Sequence, residues 1–141
     1  MESSQCVPKR PRVLIADDHP DVAKAVRRLL ALDCDVVGTV ADGSAVLDAV
    51  QRLQPDVIVV DLNLPNVSGL EACRQITQWN PDAKVIVFSA VSEPAVQQRS
   101  FEVGASAYVV KGGRDEDLLS TVTRLWTTEV DKSQSRAMAD D

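Results

Sequence analysis

Val57-Ile58-Val59-Val60-Asp61-Leu62-Asn63-Leu64-Pro65 is the stretch that decides how this chain is read. Four β-branched apolar residues run directly into a carboxylate. A run this short and uniformly apolar predicts a strand buried on both faces, not an amphipathic helix. Pro65 lacks the N–H that a central ladder needs, so the strand ends before it. Asp61 then stands at the carboxyl end of a buried strand. In open α/β sheets that edge is where ligands and chemistry are found.

The flanks repeat the same unit in kind. Upstream, Arg12 to Asp17 reads as a first strand, and Asp17-Asp18-His19-Pro20 stops it. Pro20 suits the first position of a helix, which carries Val22, Val26, Leu29 and Leu30 at helical spacing. Val36 to Val40 is a second strand, followed by a helix with Val46, Ala49, Val50 and Leu53 that Pro55 ends. Downstream, Ser68-Gly69-Leu70-Glu71 matches a capping box, in which serine and glutamate reciprocally satisfy the first free N–H groups. Leu70, Cys73 and Ile76 should face inward from that helix. Lys84 to Ser89 is a fourth strand. Pro94 opens a fourth helix whose apolar face (Val96, Phe101, Val103) is thin, and Gly104 stops it. Ser106 to Lys111 is a fifth strand. A last helix begins with Asp115, Glu116 and Asp117, where negative charge suits the helix dipole, and carries Leu118, Leu119, Val122, Leu125 and Trp126. Trp79 and Trp126 read as helix packing.

Five strand–helix pairs imply an α/β fold: a doubly wound, five-stranded parallel sheet with right-handed crossovers and helices on both faces. The flavodoxin-like order 2-1-3-4-5 brings the first strand beside the third. Residues 1–11 are polar, basic and proline-containing and read as a loose tail; 12–128 form the domain. Residues 129–141 read as a tail or the start of a linker, with Asp140-Asp141 solvated.

Composition narrows the class. The chain has 141 residues, enough for one domain with a real core. Apolar residues are 45% and aromatics 4%, so the core is built from Val, Leu, Ile and Ala. A formal net charge of -6 argues against a nucleic-acid-binding surface. Cys6, Cys34 and Cys73 are odd in number and scattered, which fits a reducing compartment better than a disulfide framework or zinc site. No apolar run approaches the roughly 18 residues of a membrane span. The expectation is a cytoplasmic protein with no membrane contact.

The carboxyl ends of the strands carry Asp17 and Asp18, Asp61, Ser89 and Lys111. Two like charges about 5 Å apart repel by roughly 3 kcal/mol at an effective dielectric near 20. Three aspartates on one sheet edge therefore make sense around a hard divalent cation. Mg²⁺ takes a few carboxylates, keeps several waters and accepts phosphate oxygens. A lysine and a hydroxyl are natural partners for an anion held beside it. The site reads as a metal-assisted phosphoryl site with a carboxylate as candidate nucleophile.

Asp17-Asp18, Asp61 ending an apolar strand, Leu64-Pro65-x-x-x-Gly69, Phe88-Ser89-Ala90, Tyr108 and Lys111 together resemble the receiver domain of bacterial two-component response regulators. The similarity covers about Arg12 to Trp126. Asp17-Asp18-His19-Pro20, with Phe88-Ser89-Ala90 and Lys111-Gly112-Gly113, looks most like the LuxR/NarL-type subgroup. The resemblance implies that Asp61 accepts a phosphoryl group from a sensor histidine kinase or phosphotransfer protein. It implies Mg²⁺ held by the side chains of Asp18 and Asp61, by the Asn63 backbone carbonyl, and by Asp17 mainly through water. Ser89 would bond a phosphoryl oxygen and Lys111 pair with the phosphoryl charge. As Ser89 is drawn in, Tyr108 would turn inward, and the surface of the fourth helix, fifth strand and fifth helix would change. That surface is where partners, or a second copy in a homodimer, would read the switch. One departure is Gly112, where the family commonly has a proline, often in a cis peptide. His19 is expected to be a loop residue beside the site.

Such a domain is a switch, at most self-phosphorylating slowly from small donors and dephosphorylating itself. LuxR/NarL-type regulators usually carry a helix-turn-helix DNA-binding domain after the receiver, and no such domain follows within residue 141. A transcriptional output outside this chain and a free-standing receiver acting by protein contact both stay open. An aspartyl-phosphate phosphohydrolase of the haloacid dehalogenase kind would want D-x-D after its first strand; here that strand ends Asp17-Asp18-His19-Pro20, and Asp61-Leu62-Asn63 lacks the second acid. A flavodoxin-like cofactor carrier would want a Ser/Thr/Gly-rich phosphate loop where Asp17-Asp18 stands.

Overall fold

In a computed structural model, residues 10–114 and 117–127 are described. The strands are β1 (Arg12–Ala16), β2 (Asp35–Val40), β3 (Val57–Val60), β4 (Lys84–Ser89) and β5 (Ala107–Val110). The helices are α1 (Pro20–Leu30), α2 (Val46–Leu53), α3 (Gly69–Trp79), α4 (Pro94–Glu102) and α5, which covers 117–127. A single turn of 3₁₀ helix, Gly43–Ala45, precedes α2. The strands form one parallel sheet in the order β2-β1-β3-β4-β5. The expected architecture is therefore present, with β1 beside β3.

The all-apolar β3 is buried on both faces because each face has its own helical layer. Ile58 and Val60 join Leu14, Ala16, Val85 and Val87 under α2 and α3. Val57 and Val59 join Val13, Ile15 and Ile86 under α1 and α5 through Val26, Leu30, Leu118 and Val122. All four β3 side chains are at most 1% exposed. Fully burying a Val or Ile side chain contributes about 1.5–3 kcal/mol, so this strand anchors the fold.

Several local expectations change on inspection of side chains. Ser68 does cap α3, accepting from the Glu71 N–H at 3.2 Å. The Glu71 carboxylate does not close the reciprocal half of the box. It pairs with Arg74, accepting from Nε at 2.9 Å, because an arginine three residues along the helix offers a charged partner. Phe101 does not belong to the inner face of α4; it is 48% exposed. Ser100 is the buried residue of that helix, and its hydroxyl donates to Val96 O at 2.9 Å. Val96 and Val103 are partly buried against the core. Trp79 is also exposed, at 42%, while Trp126 is half-buried. Arg10 and Pro11 are not loose: Pro11 is buried and its carbonyl accepts from Asp35 N at 2.8 Å. Arg10 Nη2 donates to Ala31 O at 2.6 Å and to Cys34 O at 3.1 Å. The Asp115-Glu116 start of the last helix and the tail readings at 1–9 and 129–141 lie outside the described residues.

Cys34 and Cys73 are free and buried. Among the described residues no helix is long and apolar enough to cross a membrane.

Candidate functional site

Sheet hydrogen bonds hold the backbone of each principal residue. Asp17 N–H donates to Val40 O at 3.0 Å, Asp61 N–H to Ala16 O at 2.9 Å, and Lys111 N–H to Ser89 O at 2.7 Å. The ladders thus extend one residue beyond β1, β3 and β5. Their side chains leave the sheet from fixed positions, which limits the reorganisation that a bound anion or cation would require.

Asp17 and Asp61 are 5% and 3% exposed, deep for carboxylates. Lys111 Nζ donates to Asp17 Oδ2 at 2.9 Å and to Asp61 Oδ2 at 3.2 Å. Burial alone would lower the Lys111 amine. The hydrogen bond to Asp17 and the charges of Asp61 and Asp17 outweigh it and hold the amine above its ordinary range. The amine also sits 5.6 Å from the centroid of the Phe88 ring.

Asp18 is exposed and completes a cluster with Asp17, Asp61 and His19 in which the candidate ligand atoms all lie within 4.8 Å of one another. Carboxylates outnumber the ammonium three to one. A compact set of hard oxygen donors with surplus negative charge fits a hard divalent cation that retains water.

The loop after β3 is shaped to deliver this cluster. Gly69 N–H donates to Leu62 O at 2.9 Å. A Cβ on Gly69 would lie 2.1 Å from Asp61 O and 2.7 Å from Leu62 Cα. Only glycine lets α3 begin that close to the Asp61 backbone, which accounts for the glycine in Leu64-Pro65-x-x-x-Gly69. Asn66, at φ 68°, reaches Asp42 through its side-chain amide, and Gly43 N–H donates to Pro65 O at 3.1 Å. Asp42 also accepts from the Ser44 N–H at 2.8 Å and the Ser44 hydroxyl at 2.7 Å. The Ala41-Asp42-Gly43 segment after β2 therefore buttresses the β3–α3 loop.

The structure groups the expected site residues in two sets. Asp17 and Asp61 meet Lys111 directly, and Asp18 joins the two aspartates within the 4.8 Å cluster. Ser89 and Tyr108 meet instead at Val91. Ser89 is fully buried, and its hydroxyl accepts from Val91 N–H at 3.1 Å. The Tyr108 hydroxyl donates to Val91 O at 2.5 Å. Asn63 directs its N–H toward Asp61 Oδ1 at 3.4 Å. The Lys111–Gly112 peptide is trans, and Gly112 takes φ 86°. His19 is more than a neighbour. Its Nδ1 lies 3.1 Å from Asp17 Oδ1, 3.1 Å from Asp18 Oδ1 and 3.8 Å from Asp61 Oδ2. Adjacency to Asp17-Asp18 in the sequence was the only signal for this, and adjacency does not give ring direction.

The family model of the response regulator receiver domain matches residues 13–123. The chain belongs to this family. It is 32% identical over 117 residues to the response regulator GacA of Pseudomonas aeruginosa, covering 82% of this chain and 55% of that protein. It is 30% identical over 112 residues to the nitrate/nitrite response regulator protein NarL of Escherichia coli, covering 78% of this chain and 52% of that protein. This receiver chain thus spans about half the length of the curated relatives it matches. The signal receiver domain of the putative response regulator NarL from Mycobacterium tuberculosis superposes with a TM-score of 0.79 at 28% identity, over 83% of this chain and 96% of that one. A LuxR-family two-component response regulator from Aurantimonas sp. SI85-9A1 superposes at 0.82 with 32% identity, over 85% and 87%. The receiver is of the NarL/LuxR type.

Proposed function

We propose that Asp61 accepts a phosphoryl group from a sensor histidine kinase or phosphotransfer protein with the help of Mg²⁺, and that the phosphorylated receiver controls a transcriptional output. The observation that carries this reading is a carboxylate 3% exposed, with an ammonium at 3.2 Å and further carboxylates within the same cluster. An Asp61 carboxylate oxygen attacks phosphorus; the new P–O bond forms as the P–N bond to the donor imidazole breaks. The imidazole leaves with the electron pair and takes its proton from solvent. Asp18 and Asp61 side chains and the Asn63 carbonyl are proposed to hold Mg²⁺, with Asp17 acting through water. When bound, Mg²⁺ supplies positive charge that offsets both the carboxylates and the incoming phosphoryl oxygens. Lys111 then exchanges its Asp61 contact for a phosphoryl oxygen.

Coupling to the surface runs through Val91. Its N–H is held by Ser89 and its carbonyl by Tyr108. A Ser89 hydroxyl drawn to the phosphoryl group releases the N–H of Val91, freeing the residue whose carbonyl Tyr108 holds. The loop leads into α4, which buries only Ser100 among its residues. A helix with so little burial is easily repositioned. The α4–β5–α5 face is the proposed contact for partners or for a homodimer. Residues 12–128 are proposed as the receiver unit, with 1–11 and 129–141 flanking it. The longer relatives favour a regulator with an output region over a free-standing receiver, and the chemistry is that of a switch rather than of a turnover phosphohydrolase.

The test is intact mass after incubation with acetyl phosphate, with and without Mg²⁺, beside Asp61→Asn. One Mg²⁺-dependent phosphoryl adduct, absent in the variant, supports the reading. An equal adduct in the variant refutes it.

A further inference from the structure

We propose that His19 supplies a nitrogen ligand to the cation at this centre, which tilts it toward first-row transition-metal ions relative to Mg²⁺. This rests on the metal-assisted reading above and adds a residue and a selectivity to it. Donor atoms bound at about 2.1 Å around an octahedral ion lie about 3.0 Å apart when adjacent and about 4.2 Å when opposite. The His19 Nδ1 distances, 3.1 Å to Asp17 Oδ1, 3.1 Å to Asp18 Oδ1 and 3.8 Å to Asp61 Oδ2, fall within or close to that span. One ion can therefore reach the imidazole together with the Asp18 and Asp61 carboxylates, Asp17 remaining close enough to act through water.

The ring is not needed to fasten its own loop. The His19 N–H already donates to Asp17 Oδ1 at 2.9 Å, and the His19 carbonyl accepts from Ala23 N at 2.9 Å to begin α1. Nδ1 itself lies within hydrogen-bond distance of Asp17 Oδ1, at 3.1 Å. A cation among these carboxylates would replace that contact by taking the Nδ1 lone pair, with Nε2 of the 60% exposed side chain open to water. Carboxylate and water suit Mg²⁺ and Mn²⁺, whereas imidazole suits Fe²⁺, Ni²⁺, Cu²⁺ and Zn²⁺. A mixed nitrogen and oxygen set thus raises affinity for the latter ions without requiring a new cavity.

His19 is the only histidine in the sequence, so a nitrogen signal from untagged protein has a single imidazole source. Pulsed EPR of bound Mn²⁺ reads a directly coordinated ¹⁴N. The expected result is ¹⁴N coupling in the wild type and its loss in His19→Gln. The ratio of Ni²⁺ to Mg²⁺ affinity, from calorimetry, should fall about tenfold or more in that variant, the scale seen when support for a metal ligand is removed. Mn²⁺ that binds without ¹⁴N coupling, or coupling that persists in His19→Gln, overturns the inference while leaving the carboxylate site intact. Mn²⁺ affinity unchanged by Asp18→Ala together with no ¹⁴N coupling overturns both this inference and the metal reading it rests on.

Discussion

Replacing Lys111 with methionine separates the charge of this side chain from its packing. The ammonium lies 2.9 Å from Asp17 Oδ2 and 3.2 Å from Asp61 Oδ2, and both acid side chains are 3% exposed. At an effective dielectric near 20 each contact is worth about 5–6 kcal/mol of gross Coulomb attraction. Most of that is offset by the cost of taking the three charges from water. Removing one partner of a buried ion pair typically costs about 3–5 kcal/mol, because the other charge stays buried without compensation. The Lys111 side chain is itself 17% exposed, so the lower end applies, about 3 kcal/mol. The loss should appear in urea denaturation as a lower midpoint with an unchanged slope. Added Mg²⁺ should restore more stability to Lys111→Met than to the wild type, since the cation replaces the missing positive charge. A cost below about 1 kcal/mol, against that expectation, or a cost that Mg²⁺ leaves unchanged, would refute this account of the cluster. The same lysine gives a pH signature. Its folded-state pKa is raised above the ordinary 10.5, so its stabilising contribution is complete below pH 10.5 and is lost as pH rises through the higher folded value. Wild-type stability should therefore fall more steeply above pH 10.5 than that of Lys111→Met.

Gly69→Ala forces a methyl group against Asp61 O and Leu62 Cα, both backbone atoms that cannot swing aside. It should cost about 1–3 kcal/mol, the usual range for overpacking, and slow phosphorylation from acetyl phosphate. Normal stability and normal rate would remove the close-approach argument. Burial pushes the Cys73 thiol up to about 12. Burial, with the Asp33 and Asp35 charges adding to it against Arg10, pushes Cys34 up to about 11. In a Cys6→Ser background neither thiol should react with a charged disulfide reagent until the protein unfolds; rapid reaction of the native protein would contradict their burial.

Strand and helix positions were legible because each rests on a local signal with one physical meaning. The Val57–Val60 run has no polar face and must be covered twice. Pro20, Pro94 and Gly104 sit where the start or stop of a helix requires them. The placement of Asp17, Asp61 and Lys111 on one edge followed from strand order. What stayed hidden depends on competition between side chains. The glutamate of a capping box can turn to an arginine on its own helix, as Glu71 does. A thin amphipathic face cannot rank Phe101 against Ser100 for the one buried place on α4. The direction of the His19 ring, and the meeting of Ser89 and Tyr108 at Val91, depend on loop geometry that residue spacing does not encode.

The central claim is that Asp61 is the residue that carries the phosphoryl group. An acyl phosphate can be trapped by borohydride, which reduces it to the alcohol, and the altered residue located by tandem mass spectrometry of the digest. After incubation with acetyl phosphate and Mg²⁺, the account predicts a single reduced residue at position 61. Reduction at Asp17, Asp18 or any other carboxylate, with position 61 intact, would contradict it.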